Sequence, residues 1–135
     1  MDQRIKVIIP IPMDQAGADN RASQLPAHLI LPGFHPEFVP VAKGASLGDS
    51  AYDALLMDFS VVQAGIRAQD EGYSAVCIDT VSDSGLAALR SRLDIPVVAP
   101  SMAAFHVACM LGKKFSIITM WDEWFHLIEF RGVRC

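Results

Sequence analysis

The chain has 135 residues, which is enough for one compact domain and too few for two. Apolar residues make up 52% of the sequence and charged residues 19%, a balance typical of a globular domain and not of a disordered chain. The formal net charge is −4 and the sequence has no run of Lys or Arg, so nucleic acid is excluded as an expected partner.

Several other classes of protein are excluded by missing signals. No apolar stretch approaches the roughly 20 residues that a membrane span requires, and the first residues lack the apolar core and cleavage site of a signal peptide. We therefore expect a cytoplasmic protein with no membrane partner. The sequence contains no G-x-G-x-x-G, no P-loop and no H-E-x-x-H, so we expect neither a nucleotide cofactor nor a metal site.

The first predicted strand is the apolar run at residues 5–9, which ends at Pro10 because proline cannot continue a central ladder. Residues 15–36 mix Gly, Pro, Asn and Asp with weak periodicity, which predicts a loop with one short helix at most. A second short strand is predicted at residues 38–41. The chain therefore begins with two strands joined by an irregular segment.

A long helix is predicted at residues 51–71, after a Gly/Ser-rich loop in which Asp49 or Ser50 could cap it and before Gly72, which should end it. Strand, loop and helix then alternate three times. These elements are a strand at Ala75–Ile78, a loop at 80–84, a helix at 85–92, a strand at 95–98, a helix at 101–111, a strand at 115–119 and an aromatic helix from Trp121. Alternation at this spacing, with continuously apolar strands, predicts an α/β fold: a parallel sheet with helices on both faces.

Ligands of parallel α/β sheets bind at the carboxyl ends of the strands, so the loops there are the place to look for a site. These loops are rich in small hydroxylated and acidic side chains: Ser46, Ser50, Thr80, Ser82, Asp83, Ser84, Ser101 and Thr119. Hydroxyls and the amides at helix N-termini suit a carboxylate or another small anion. Because Asp83, Ser84 and Ser101 are also preferred capping residues, a purely structural role stays open for them.

The stretch AVCIDTVSDSGLAALRSRLDIPVVAPSMAAFHVACMLGKKFSIIT, at residues 75–119, carries an ordered set of short motifs. They are D-x-G-L from Asp83, the following helix with Arg90, P-V-V from Pro96, A-A-F-H from Ala103, M-L-G from Met110 and F-S-I-I-T from Phe115. With these motifs the sequence resembles the Asp/Glu racemase superfamily, and its hydantoin racemase branch in particular, over roughly residues 5–119.

The resemblance implies an isomerase that acts without a cofactor on a small carboxylate or a cyclic amide, such as an amino acid or a hydantoin derivative. Enzymes of this family bind their substrate between two similar α/β halves, each of which supplies a cysteine: one thiolate removes the Cα proton and the other thiol returns one. Residues 1–135 would then be a single α/β domain, a truncated N-terminal half of a longer racemase-like protein.

The chain departs from the family pattern at two places. Thr80 stands where the family has its first cysteine, and Cys77 lies three residues upstream. The loop after the first strand begins with Pro10 and ends with Met13, where the family places asparagine and threonine. Thr80 is therefore the candidate catalytic residue, with a hydroxyl group in place of the thiol. The candidate substrate-binding residues are Ser46, Ser50, Val81, Ser82, Asp83, Ser101 and Thr119.

Two alternatives to racemisation stay open. One is a decarboxylase or lyase of the same superfamily, which needs stabilisation of a planar enediolate more than it needs two thiols. The other is a catalytically inactive half-domain that binds a small acid or associates into a homo-oligomer, because such a half would leave apolar surface exposed.

Overall fold

Four parallel strands form the central sheet, in a computed structural model that describes residues 2–119 and 121–124. In chain order they are β1 (Gln3–Ile9), β2 (Phe34–Pro40), β3 (Ala75–Ile78) and β4 (Val97–Val98). The spatial order is β2-β1-β3-β4, and each neighbouring pair is parallel. The predicted parallel sheet is confirmed, and the C-terminal ends of its two inner strands, β1 and β3, lie side by side.

Helices cover both faces of this sheet, as predicted. They are α1 (Gln15–Ser23), α2 (Ala51–Gly65), α3 (Leu86–Arg90) and α4 (Pro100–Leu111), with short 3-10 turns at Ala27–Leu29 and Asp122–Trp124. On one face Ile8 and Ile78 pack with Val61 of α2 and Leu89 of α3 in the hydrophobic core. On the other face Cys77 lies beside α1. None of the described helices is long and apolar enough to cross a membrane.

The segment 15–36 contains one short helix, α1, as the sequence allowed, and its N-terminus is capped by the Asp14 side chain accepting from the Gly17 amide. One prediction about a single element was wrong. Residues 115–119, predicted as a fifth strand, lie in no strand, and Ile118 is 96% exposed. The physical reason is the short edge of the sheet: β4 has two residues, which leaves little ladder for a further strand to join. Of the predicted aromatic helix, the structure describes only the turn at Asp122–Trp124, and its continuation lies outside the described residues.

Two helices are shorter than predicted. α2 ends at Gly65 and is followed by turns up to Gly72, where a φ of 81° favours glycine. α3 covers only Leu86–Arg90 of the predicted residues 85–92. The predicted cap of α2 is present, because the Ser50 hydroxyl accepts from the Asp53 amide at 3.1 Å.

Gly65 is the point where α2 approaches the sheet most closely. A Cβ atom at this position would lie 2.7 Å from Cδ1 of Ile8 and 3.0 Å from Cδ1 of Leu89. Both neighbours are completely buried, so neither can move aside into solvent. The absence of a side chain at residue 65 therefore sets the distance between α2 and β1.

We expect Gly65→Ala to lower the free energy of unfolding by about 1–3 kcal/mol, because overpacking costs more than the higher helix propensity of alanine returns. Urea denaturation followed by circular dichroism measures the change. Gly112→Ala is the matched control, since its added Cβ would meet nothing closer than the Lys114 carbonyl oxygen at 3.5 Å. Equal losses in the two variants would contradict this account of the packing.

Candidate functional site

A cavity of about 240 Å³ opens where the C-terminal ends of β1 and β3 meet. Part of its lining is apolar and comes from the end of β1 and the loop that follows it, and another part comes from the loop after β3. The described lining residues are Ile9, Pro10, Ile11, Met13, Arg21, Gly48, Met57, Asp79, Thr80, Val81, Ser82 and Trp124. This is the edge at which a parallel sheet is expected to bind its ligand.

Three hydroxyl groups in the loop after β3 contact one another in a row. The Oγ1 atom of Thr80 lies 3.0 Å from Oγ of Ser82, which lies 2.7 Å from Oγ of Ser84. The backbone N–H of Ser82 also donates to Oγ1 of Thr80 at 3.3 Å. Ser82 and Ser84 are buried, whereas Thr80 is half-buried at the cavity wall.

The Asp83 carboxylate is committed to the N-terminus of α4. Its Oδ1 accepts from the Ser101 amide at 3.0 Å and its Oδ2 accepts from the Met102 amide at 2.8 Å. In return the Ser101 hydroxyl donates to the carbonyl oxygen of Val81. These bonds fasten the loop after β3 to α4, and they occupy the amides that were expected to be available to an anion.

The backbone conformation and the close packing at residue 85 explain why the D-x-G-L motif has glycine there. Gly85 has a φ of 70°, and a Cβ atom there would come within 3.2 Å of the Asp58 carbonyl oxygen. Its amide donates to Oδ1 of Asp58 at 2.8 Å, which ties the loop to α2. Asp83 itself has a φ of 49°, a conformation that aspartate tolerates better than most residues do. The motif therefore encodes a turn that both α2 and α4 hold in place.

A bidentate ion pair closes one side of the cavity. The Arg21 guanidinium donates to both carboxylate oxygens of Asp79, with Nε–Oδ2 and Nη2–Oδ1 distances of 2.6 and 2.7 Å. This hydrogen-bonded partner raises the pKa of Arg21 above its usual value. The pair anchors α1 to the end of β3 and leaves the charge of Arg21 neutralised within the protein.

Cys77 does not contribute to the described walls of this cavity. It lines a separate cavity of about 230 Å³ with residues of α1 and β2. Burial raises the pKa of its thiol, and the negative charge of Asp79 raises it further. Cys77 is therefore not a substitute for a thiol at position 80.

The eight predicted site residues are divided by the structure. Thr80, Val81 and Ser82 meet at the cavity wall. The other five are Ser46, Ser50, Asp83, Ser101 and Thr119, and the described lining includes none of them. Ser46 is exposed and Ser50 caps α2. The Asp83 carboxylate accepts from the Ser101 amide. The Thr119 hydroxyl donates to the Trp121 carbonyl oxygen at 3.4 Å. Substrate contact by any of the eight stays a prediction.

Outside the loop after β1, five lining residues were not anticipated from the sequence: Arg21, Gly48, Met57, Asp79 and Trp124. Asp79 directly follows β3, so its position was a usable signal. The other four come from other segments and carry no local motif. Trp124 has an indole N–H that is buried and has no hydrogen-bond partner among the described residues. Within the same residues, no group of three or more His, Cys, Asp or Glu side chains could hold a metal ion.

We expect Asp83→Asn to lower the free energy of unfolding by about 1–3 kcal/mol, because an uncharged amide accepts only one of the two α4 amide hydrogens. Asparagine keeps the size of the side chain and tolerates the positive φ, so the loss reports on the carboxylate. Urea denaturation measures it, with Asp70→Asn, at an exposed carboxylate, as the control. A variant as stable as the parent would show that the two bonds contribute nothing.

Residues 17–131 match the family model described as Asp/Glu/Hydantoin racemase. A hydantoin racemase of Pseudomonas sp. (strain NS671) is 33% identical over 72 residues, which are 53% of this chain and 29% of that protein. An allantoin racemase from Klebsiella pneumoniae superimposes with a TM-score of 0.84 at 23% identity, covering 96% of this chain and 52% of its own.

A second solved structure, the allantoin racemase AllR from Pseudomonas fluorescens, has a TM-score of 0.81 and 25% identity, with 96% of this chain and 54% of that one covered. The chain thus spans about half the length of these two structures and under a third of the hydantoin racemase. The expected resemblance is confirmed, and the described fold corresponds to one half of the racemase architecture. Because the family model covers most of the sequence, the chain belongs to the Asp/Glu/hydantoin racemase family.

Proposed function

We propose that the chain takes part in the cofactor-independent racemisation of a small cyclic amide of the hydantoin type. The observation that carries this proposal is the position of Thr80, Val81 and Ser82 at the wall of the 240 Å³ cavity, which apolar residues also line. Racemisation removes a proton from the carbon next to a carbonyl group and leaves negative charge on the carbonyl oxygen. Hydroxyl and amide donors in a partly buried loop suit that oxygen.

The charges around the cavity favour an uncharged amide over a free carboxylate such as an amino acid. A carboxylate is best held by an unpaired cation or a free helix N-terminus. Here Arg21 is paired with Asp79, and the first amides of α4 are occupied by Asp83. The substrate's side chain would pack against Ile9 and the loop that follows it.

We further propose that residues 1–135 are the N-terminal half of a longer racemase-like protein located in the cytoplasm. The solved racemases are about twice as long as the part that this chain matches. In this proposal the second half supplies the base on the other side of the substrate carbon. The thiol of Cys77 would not serve, since it is half-buried and lines a different cavity.

We expect Thr80→Cys to increase proton exchange at the 5-position of 5-benzylhydantoin by at least about tenfold, because a thiol with a pKa near 8.5 supplies some thiolate at neutral pH and a threonine hydroxyl does not. Loss of the C5–H signal in D2O, followed by NMR against an enzyme-free blank, measures the exchange. Ser91→Cys, which adds a thiol at an exposed position outside the predicted site, is the control.

The same experiment separates the racemase from its lyase relatives. No increase in Thr80→Cys over Ser91→Cys would argue against Thr80 facing the substrate carbon. Release of CO2 from phenylmalonate by the unaltered chain, without exchange in the hydantoin, would replace racemisation by decarboxylation as the activity.

The exposed end of α4 favours a second candidate function, that of a half-domain that associates with a copy of itself. Met110 and Leu111 are 84% and 85% exposed, and Ile118, in the segment after the helix, is also exposed. Apolar side chains this exposed and this close together are typical of surfaces that are covered in an assembly.

We expect the chain to be a dimer at micromolar concentration and Leu111→Glu to shift it toward monomer, because burying an unpaired carboxylate in an apolar interface is costly. Light scattering coupled to gel filtration measures the mass. Leu29→Glu, at an exposed leucine in the 3-10 turn at Ala27–Leu29, should leave the mass unchanged. A monomeric parent protein would remove this candidate.

A further inference from the structure

The burial of the three hydroxyls of the loop after β3 determines which of them donates to which. Each of the contacts Thr80–Ser82 and Ser82–Ser84 can in principle have either oxygen as the donor. Ser84 is 1% exposed, and its hydroxyl contacts no other partner among residues 2–119 and 121–124. The Ser84 end of this row of hydroxyls is therefore closed to solvent.

Only one order of donors leaves no buried hydroxyl proton without an acceptor. If Thr80 donates to Ser82 and Ser82 donates to Ser84, the Ser84 proton is buried with nothing to receive it, which carries the desolvation cost of an unsatisfied donor. If Ser84 donates to Ser82 and Ser82 donates to Thr80, both buried protons are used. The one remaining proton then belongs to Thr80, which lines the cavity.

The lone pairs of Thr80 lead to the same assignment. A hydroxyl oxygen has two lone pairs. In the outward order, Oγ1 of Thr80 accepts from the Ser82 hydroxyl at 3.0 Å and from the Ser82 amide at 3.3 Å. Both lone pairs are then occupied, so the oxygen is in no position to take a proton from a substrate carbon.

We propose that Thr80 is a dedicated hydrogen-bond donor to a carbonyl or enolate oxygen of the bound cyclic amide, and that Ser84 is a positioning residue that acts through Ser82. This inference rests on the proposed function for the identity of the ligand. Donation along a row of hydroxyls polarises the last O–H bond, which strengthens its hydrogen bond to an acceptor. The residue that stands at the position of the family cysteine thus has the opposite role to a base.

The direction of the row can be measured without any ligand. Neutron diffraction from crystals of the full chain grown in D2O locates the deuterium atoms of the three hydroxyls. The expected map places deuterium on Ser84 pointing at Ser82, and on Ser82 pointing at Thr80. A map with the reverse order overturns the assignment, whatever the protein binds.

Binding of 5-benzylhydantoin, measured by calorimetry, tests the role of the donor. We expect Thr80→Val to raise the dissociation constant by about five- to tenfold, the usual effect of losing one hydrogen bond. Thr80→Ser, which restores the hydroxyl, should bind within about twofold of the parent chain. Ser91→Ala, which removes a hydroxyl that donates to the Ala88 carbonyl oxygen, is the matched control.

A double-mutant cycle distinguishes positioning from general support of the fold. Ser84→Ala should weaken binding about threefold in the parent chain and have no effect in the Thr80→Val background, because its contribution passes through Thr80. An equal loss in both backgrounds would overturn the positioning role. Undiminished binding by Thr80→Val would overturn the donor role. Failure of the parent chain to bind the hydantoin would remove the proposed function, and the neutron map would then decide the donor order by itself.

Discussion

The bonds between Asp83 and the first amides of α4 are the constraint on which the candidate site depends. They turn the chain sharply after β3, at a residue with positive φ, and hold the loop against a helix that follows a strand of only two residues. The Ser101 hydroxyl also donates to the Val81 carbonyl oxygen, so these bonds hold a residue that lines the cavity. The positions of the three hydroxyl groups of this loop follow from the fixed backbone.

The bonds between Asp83 and the first amides of α4 also determine which ligands the cavity suits. A helix N-terminus carries partial positive charge, and here that charge is met by a carboxylate of the protein. The Arg21 pair with Asp79 has the same effect at the other side. Two charged groups that could each have attracted an anion are thus used to position the backbone. The described lining then offers a ligand the Thr80 hydroxyl and the apolar side chains of the loop after β1.

The sequence predicted those parts of the molecule that depend on local pattern. β3 was placed at its observed bounds because an apolar run stands between turn residues, and Thr80 and Ser82 were found because the ends of parallel strands carry sites. α1 was allowed for as one short helix but given no bounds, because Ala18 is its only buried residue and its apolar periodicity is weak. The strand at 115–119 failed for a different reason: a strand needs a neighbour, and sequence does not show how short β4 is. Nor could sequence decide whether Asp83 caps a helix or binds a ligand, since both roles favour the same residue types at the same position.

The relation between Cys77 and Thr80 shows why a displaced functional group is not equivalent to the original one. Three residues separate them, but the first lies within β3 and contacts the α1 side of the sheet, while the second lies beyond the strand at the cavity. Burial and the nearby Asp79 charge raise the pKa of the Cys77 thiol, so the protein disfavours its reactive form where it stands. A thiolate at that place would face neither the hydroxyl row nor the apolar wall. In the proposed function, chemistry at this loop therefore uses hydrogen-bond donation from the Thr80 hydroxyl to a ligand oxygen.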